Sequence, residues 1–329
     1  MLFSQYMEQW LYGENGYYGS YHPIGKKGDF YTAVSTSKFF GGSIAQHIIK
    51  RIDEGFLFCD SLICEIGAHH GYLLADIIEF IHTLRPQLLQ TLRFGIVERF
   101  DALQIQQKSY FEECFGDVIK LEHYHDVCEI NASCAFFLAN EIFDAFACEL
   151  FYKGRIGRVE EGKVLFDVES SECSAHALKY KKDRGEIAIG YESFAASMSK
   201  SVPKFEFMSF DYGELDARSD FSIRVYQEHQ VYPLFDEALE MRKAFAATDI
   251  TYDVNFSHVK EAFEQQGISC VQYATQLVAL IEMGVLDLLS TLKEKASDDI
   301  YIQELEKVKV LITPSLMGER FKMIRFVKE

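Results

Sequence analysis

The stretch Leu62-Ile63-Cys64-Glu65-Ile66-Gly67-Ala68-His69-His70-Gly71-Tyr72-Leu73 decides how this chain is read. Five residues suited to a buried strand run into a glycine-marked turn. Leu74, Ile77, Ile78 and Ile81 then recur at helical spacing until Pro86 stops the helix. Strand, tight turn and helix in that order bring backbone N–H groups close to a nucleotide-like ligand, as in Rossmann-type sites. Gly67 lets the chain turn off the strand, and Gly71 permits close packing where the helix begins. His69 stands where such loops usually carry glycine.

Outward from this segment, strands and helices alternate. Strands are predicted over 94–98, 118–121 and 135–139, with a helix over 101–113. The apolar run 135–139 suits a central strand of a parallel sheet, and the alternation implies a right-handed, doubly wound α/β fold. Residues 149–170 read as added antiparallel strands turning at Glu161-Gly162. A helix over 190–201 and a strand over 205–210 resume the wound pattern. Residues 214–295 read as an inserted, mainly helical lobe with helices over 257–266 and 272–293, a place for substrate or partner. The segments 308–313 and 321–327 read as an antiparallel terminal hairpin. The expected organisation is an N-terminal helical and loop segment (1–60) covering the cofactor site, a core (61–213 and 296–329), and that lobe.

The chain has 329 residues, 48% apolar and 25% charged, as expected of a globular protein of one or two domains. No apolar run approaches the roughly 18 residues that cross a bilayer. The stretch from Met1 to Gly16 lacks the basic start and apolar core of a secretion signal. A cytoplasmic protein without membrane insertion is expected. A net charge of −17 and the lack of a basic stripe count against a nucleic-acid partner. That charge either keeps the protein soluble or favours a cationic substrate. The eight cysteines form no CxxC pair and the histidines show no ligand spacing, so no metal is expected.

Three polar clusters fall at the carboxyl ends of predicted strands, where open α/β sheets bind ligands. The first joins Glu65, Gly67 and Gly71 to Glu98, whose carboxylate can accept both hydroxyls of a ribose. A dehydrogenase would use the same acid, and a tight turn followed by a surface glutamate has the same spelling. The second is Asn140-Glu141-Ile142-Phe143-Asp144-Ala145, which reads as a ligand site or as a helix cap made by Asn140 or Asp144. The third is Asp211-Tyr212-Gly213, which a turn explains equally well. Residues 25–32 lack Walker spacing and read as a loop. No GxSxG elbow or catalytic Cys–His spacing supports a hydrolase.

Taken in order along nearly the whole chain, these segments resemble the MidA family of S-adenosylmethionine-dependent methyltransferases, relatives of a mitochondrial complex I assembly factor. The likeness runs through Gly28-Asp29-Phe30-Tyr31-Thr32-Ala33, Phe40-Gly41, Glu65-Ile66-Gly67 with Gly71, and Val97-Glu98. It continues through Ala139 to Ala145, Asp211-Tyr212-Gly213, Arg224-Val225-Tyr226, Asp249-Ile250-Thr251 and Met317-Gly318-Glu319.

The resemblance implies a class I methyltransferase (Rossmann-like) sheet and S-adenosylmethionine as cofactor. It implies that Gly67, Ala68 and Gly71 cradle the methionine part and that Glu98 holds the ribose. Asp126 would lie at the adenine edge, and Asn140 and Glu141 would flank the methyl-donor end. Gly28 and Thr32 would fold over the cofactor. The mitochondrial relative modifies an arginine of a complex I subunit, so a protein arginine is the implied substrate, with Glu141, Asp144 and Asp211 as candidate catalytic carboxylates. The chain departs from the pattern at Ala68-His69, at Val34-Ser35 (Pro-Glu in the family) and at Phe146-Ala147, where a proline is lost. A side chain at His69 is expected to crowd the cofactor or to re-route the turn. A weakly active or inactive scaffolding protein on the same fold is therefore the alternative.

Overall fold

Four short strands, Leu62–Ile66 (β1), Arg93–Val97 (β2), Leu121–Tyr124 (β3) and Cys134–Asn140 (β4), pair in parallel in the order β4-β1-β2-β3. Lys204–Glu214 (β5) runs parallel to β4, while Ser269–Thr275 (β6) and Phe321–Lys328 (β7) form an antiparallel pair beyond it. The order along the sheet is β6-β7-β5-β4-β1-β2-β3, and the two-residue strand Val254–Asn255 pairs in parallel with the end of β5, off this path. The central strands are apolar runs without alternation because both faces are covered, so β1 is buried at every position and β4 at all but Asn140. From the helices Phe39–Asp53 and Tyr72–Leu84, the side chains Phe40, Ile44, Ile48, Leu74, Ile77 and Ile81 pack with strand residues Ile63, Phe94, Phe136 and Met208 in one core.

The structure is a computed structural model that describes residues 1–19, 32–216, 218–227 and 230–329. The sheet belongs to a unit of Tyr31–Asn140, Ala196–Asp211 and Gln266–Glu329; a second unit comprises Met1–Phe30, Glu141–Ala195 and Tyr212–Gln265. Two of the chain's crossings between the units fall at Asn140–Glu141, just after β4, and at Asp211–Tyr212, within β5; in the pairing of these strands Asn140 registers with Phe210.

The second unit holds a four-stranded antiparallel sheet of Cys148–Tyr152, Arg155–Glu160, Lys163–Glu169 and Arg184–Ala188. Its hairpins turn at Lys153-Gly154 and Glu161-Gly162, all four residues having positive φ, which matches the twist of antiparallel strands. Arg224–Gln227, Gln230–Pro233 and Asp249–Thr251 form a small second sheet, followed by the helix Phe256–Glu264.

Several predicted elements differ. The third strand is 121–124 rather than 118–121: Gly116 ends the preceding helix at φ 56°, and Val118 stays in the turn, 77% exposed. The lobe 214–295 is not mainly helical, since it begins with the three short strands. Its last stretch divides into β6 and the helices Gln276–Glu282 and Val285–Lys295, parted at Gly284 with φ 81°. Val308 and Leu311 lie on the buried side of the helix Asp298–Ile312, so 308–313 is no strand and the hairpin partner of β7 is β6. A β-branched run imitates a strand there, but the acidic first turn of Asp298 and Asp299 starts a helix that continues through it.

Candidate functional site

The turn after β1 has the shape its glycines require. Gly67, exposed and at φ 70°, donates its N–H to Val97 O at 3.1 Å and so stitches the end of β1 to the end of β2. Ala68 is buried, and its carbonyl accepts the Gly71 N–H at 2.8 Å. Gly71 opens the helix Tyr72–Leu84 at φ 78°, where an added Cβ would lie 2.8 Å from the Phe111 ring. His69 takes the left-handed conformation itself, at φ 48°, one that histidine visits more readily than most residues.

Glu65 faces inward, with its Oε2 accepting the Leu74 N–H at 3.0 Å, so the last acidic residue of β1 caps the helix start. Burial lifts its pKa to about 8, against the pull of the Leu74 amide and with help from Asp76. Folded Glu65 therefore holds a proton that the unfolded chain releases near pH ~4.3. Its contribution to stability is full below the unfolded value and is lost as pH rises toward about 8. Glu65→Gln keeps an acceptor for Leu74 and is expected to remove a slope of up to about 1.4 kcal/mol per pH unit. Urea unfolding of both proteins across that window measures it; equal slopes would sink the assignment.

Glu98 follows β2, buried, and its Oε1 accepts the Phe100 N–H at 3.0 Å. Burial raises its pKa, against the hydrogen bonds from Phe100 and Gln107. Gln107, on the helix Asp101–Phe115, is a residue the sequence reading missed. It has no exposed surface; its Nε2 donates to His69 O at 2.8 Å and lies 3.5 Å from Glu98 Oε2. A fully polar residue at a buried helix position is the signal that would have found it, visible only once the buried face is known. Asp126, exposed after β3, accepts the Cys128 N–H at 2.8 Å and caps the short turn Val127–Glu129. Thr32 is buried and forms a reciprocal cap with Ser35, which occupies the position of the family's glutamate. Gly28 lies outside the described residues.

In the second unit, Glu141 comes directly after β4 in a left-handed conformation, φ 55°, a strain that functional sites often retain. Asp144 sits in the short turn Phe143–Ala145, buried, and accepts the Tyr212 phenol on Oδ2. The helix cap offered as its alternative is absent, since that turn begins at Ile142 without a side-chain cap. Tyr212 Oη also meets Thr251 Oγ1 at 2.5 Å. The Arg224 guanidinium lies 4.5 Å over the Tyr212 ring and donates to Asp253 Oδ1 at 2.7 Å. Burial lifts Asp144 to about 6, against the Tyr212 hydrogen bond and the Arg224 charge. Asp211, fully buried, ends the middle segment of the sheet unit, Ala196–Asp211.

Among the described residues, no group of histidine, cysteine and carboxylate side chains is arranged to hold a metal, and no helix is long and apolar enough to cross a membrane.

Residues 45–274 match a family of S-adenosyl-L-methionine-dependent methyltransferases. The chain belongs to this methyltransferase family. Its cofactor is accordingly S-adenosylmethionine. The methyltransferase is similar to the protein arginine methyltransferase NDUFAF7, mitochondrial, of Rattus norvegicus, 24% identical over 97% of this chain and 79% of the rat protein. The Xenopus laevis protein of the same name is 23% identical over 98% of this chain and 80% of its own length. In fold, the methyltransferase resembles a COG1565 superfamily member from Burkholderia thailandensis bound to S-adenosyl-homocysteine. The TM-score is 0.85 at 22% identity, covering 100% of this chain and 88% of that one. A native structure of a COG1565 superfamily protein from the same organism gives 0.79 at 21% identity, covering 100% and 87%.

The residues of the turn fit such a cofactor. Gly67 is exposed at the end of a buried strand, with no side chain to block the approach, and the buried Glu98 carboxylate follows the end of the neighbouring strand.

Proposed function

We propose that this methyltransferase modifies an arginine side chain of a protein. The observation that carries the reading is the buried Asp144–Tyr212 pair, a carboxylate held near neutrality at the point where the chain leaves β4. The name of the rat and frog relatives supports the same acceptor. S-adenosylmethionine supplies an electrophilic sulfonium methyl and leaves as S-adenosylhomocysteine. Gly67, Ala68 and Gly71 line its methionine part in this reading, Asn140 flanks the methyl-donor end, Glu98 accepts the ribose hydroxyls, and Asp126 borders the adenine. Gly28 and Thr32 belong to the segment that covers it.

A guanidinium is a weak nucleophile, so the enzyme's task is to align it and to take the proton it loses. Glu141 and Asp144 pair with its N–H groups, and Asp144 accepts the proton as the new N–C bond forms; Asp211 is the third candidate carboxylate. A subunit of respiratory complex I is the first protein substrate to test. We assign the enzyme to the cytoplasm, where the eight free cysteines suit a reducing compartment.

Incubation with radiolabelled cofactor and matched arginine and lysine peptides tests the acceptor. Label on arginine is expected; label confined to lysine, or none from a protein that binds S-adenosylhomocysteine, would reject it. Fractionation of tagged protein tests the compartment, and recovery in an organelle would reject the cytoplasm.

A further inference from the structure

Gln107 occupies a position that the methyl-transfer chemistry does not by itself explain. Its carboxamide is fixed at both ends: Oε1 pairs with His123 Nε2 at 3.0 Å, while Nε2 donates to the His69 carbonyl at 2.8 Å. Burial, and Lys108 to a lesser degree, pushes His123 below its usual pKa. Because the His69 carbonyl only accepts, Gln107 Nε2 must face it, which leaves Oε1 to accept from His123 Nε2; flipping the amide would set two acceptors against each other at His69. The carbonyl it holds belongs to His69, whose side chain makes the left-handed φ of 48° unfavourable in a way glycine would not.

We propose that Gln107 is a positioning residue that tethers the His69 peptide, so that the turn keeps a glycine-like path without a glycine. A long polar side chain from the helix Asp101–Phe115 thus supplies by attachment what glycine supplies by conformational freedom. The same amide nitrogen lies beside Glu98, so the turn and the acid after β2 are held to a common frame. The inference rests on reading 67–71 as the cofactor turn, but its first consequence is independent of any ligand.

Amide hydrogen exchange of the full chain without ligand tests the tether. In Gln107→Leu, exchange across 67–73 is expected to rise about five- to tenfold, the range one lost hydrogen bond allows. Exchange in β1 should not change. Titration with S-adenosylhomocysteine should show a similar fold-loss of affinity, and His69→Gly added to Gln107→Leu should recover at least about threefold of it. A merely structural role for Gln107 would give no such recovery. Unchanged exchange in the turn, or the same affinity loss with and without His69→Gly, overturns the proposal. If Gln107→Leu does not fold, Gln107→Asn shortens the amide and gives the same comparison. A wild-type protein that does not bind S-adenosylhomocysteine would reject the cofactor turn itself, and the exchange result would still decide the tether.

Discussion

Asp144→Asn is expected to lower kcat for methyl transfer about 10²- to 10³-fold while leaving S-adenosylmethionine affinity within about twofold. The substitution keeps the size of the side chain and an oxygen that can accept the Tyr212 phenol, so packing should survive. What it removes is the negative charge and the site for a proton. Both matter only as positive charge develops on the attacking nitrogen, which is why kcat should carry the loss. Arg224, 4.5 Å from the Tyr212 ring and paired with Asp253, would remain and leave the local field more positive. The unmutated enzyme should lose activity as pH falls through about 6, where Asp144 becomes neutral, and the variant should lack that limb. Steady-state rates across pH, with cofactor affinity measured by calorimetry, test both statements. A variant within about threefold of wild-type kcat would remove Asp144 from the chemistry.

The sheet was largely legible because its signals are local. LICEI and CAFFLAN are apolar without alternation, and glycine, proline and helical spacing mark the elements between them. Residues 269–275 and 298–312 were not legible for the opposite reason. β6 exists because β7 pairs with it from 46 positions onward (Thr275 to Phe321), and its own residues alternate only weakly. The β-branched run near Val308 is helical because Val308 and Leu311 share a buried face, a tertiary fact that outweighs propensity. The placement of the 67–71 turn after β1 and of Glu98 after β2 was readable from spacing, whereas the Glu65 carboxyl caps Leu74, which spacing did not show. Gln107 was invisible, since one glutamine among Gln104, Gln106 and Lys108 gives no hint that it alone is buried.

Glu98→Ala should weaken S-adenosylmethionine binding about 100-fold, and Glu98→Gln about tenfold. The position of the acid is tightly defined: β1 and β2 register Ile66 with Val97, and the Gly67 N–H bonds to Val97 O, so Glu98 stands beside the turn. A carboxylate there can accept two hydroxyl hydrogen bonds, each worth about 1.5–3 kcal/mol when the acceptor is charged. Glutamine retains one acceptor oxygen without the charge, which sets the smaller loss. Alanine also deprives the Phe100 N–H of its acceptor, at a cost of about 1 kcal/mol in stability, so a drop in melting temperature alone would not identify the role. A cofactor analogue lacking the ribose 2′-hydroxyl separates the effects. Wild-type protein should bind it about tenfold more weakly than the parent compound, and Glu98→Ala should bind the two about equally. If the alanine variant discriminates as strongly as wild type, the hydroxyl is recognised elsewhere, and Glu98 serves only to order the Phe100 backbone.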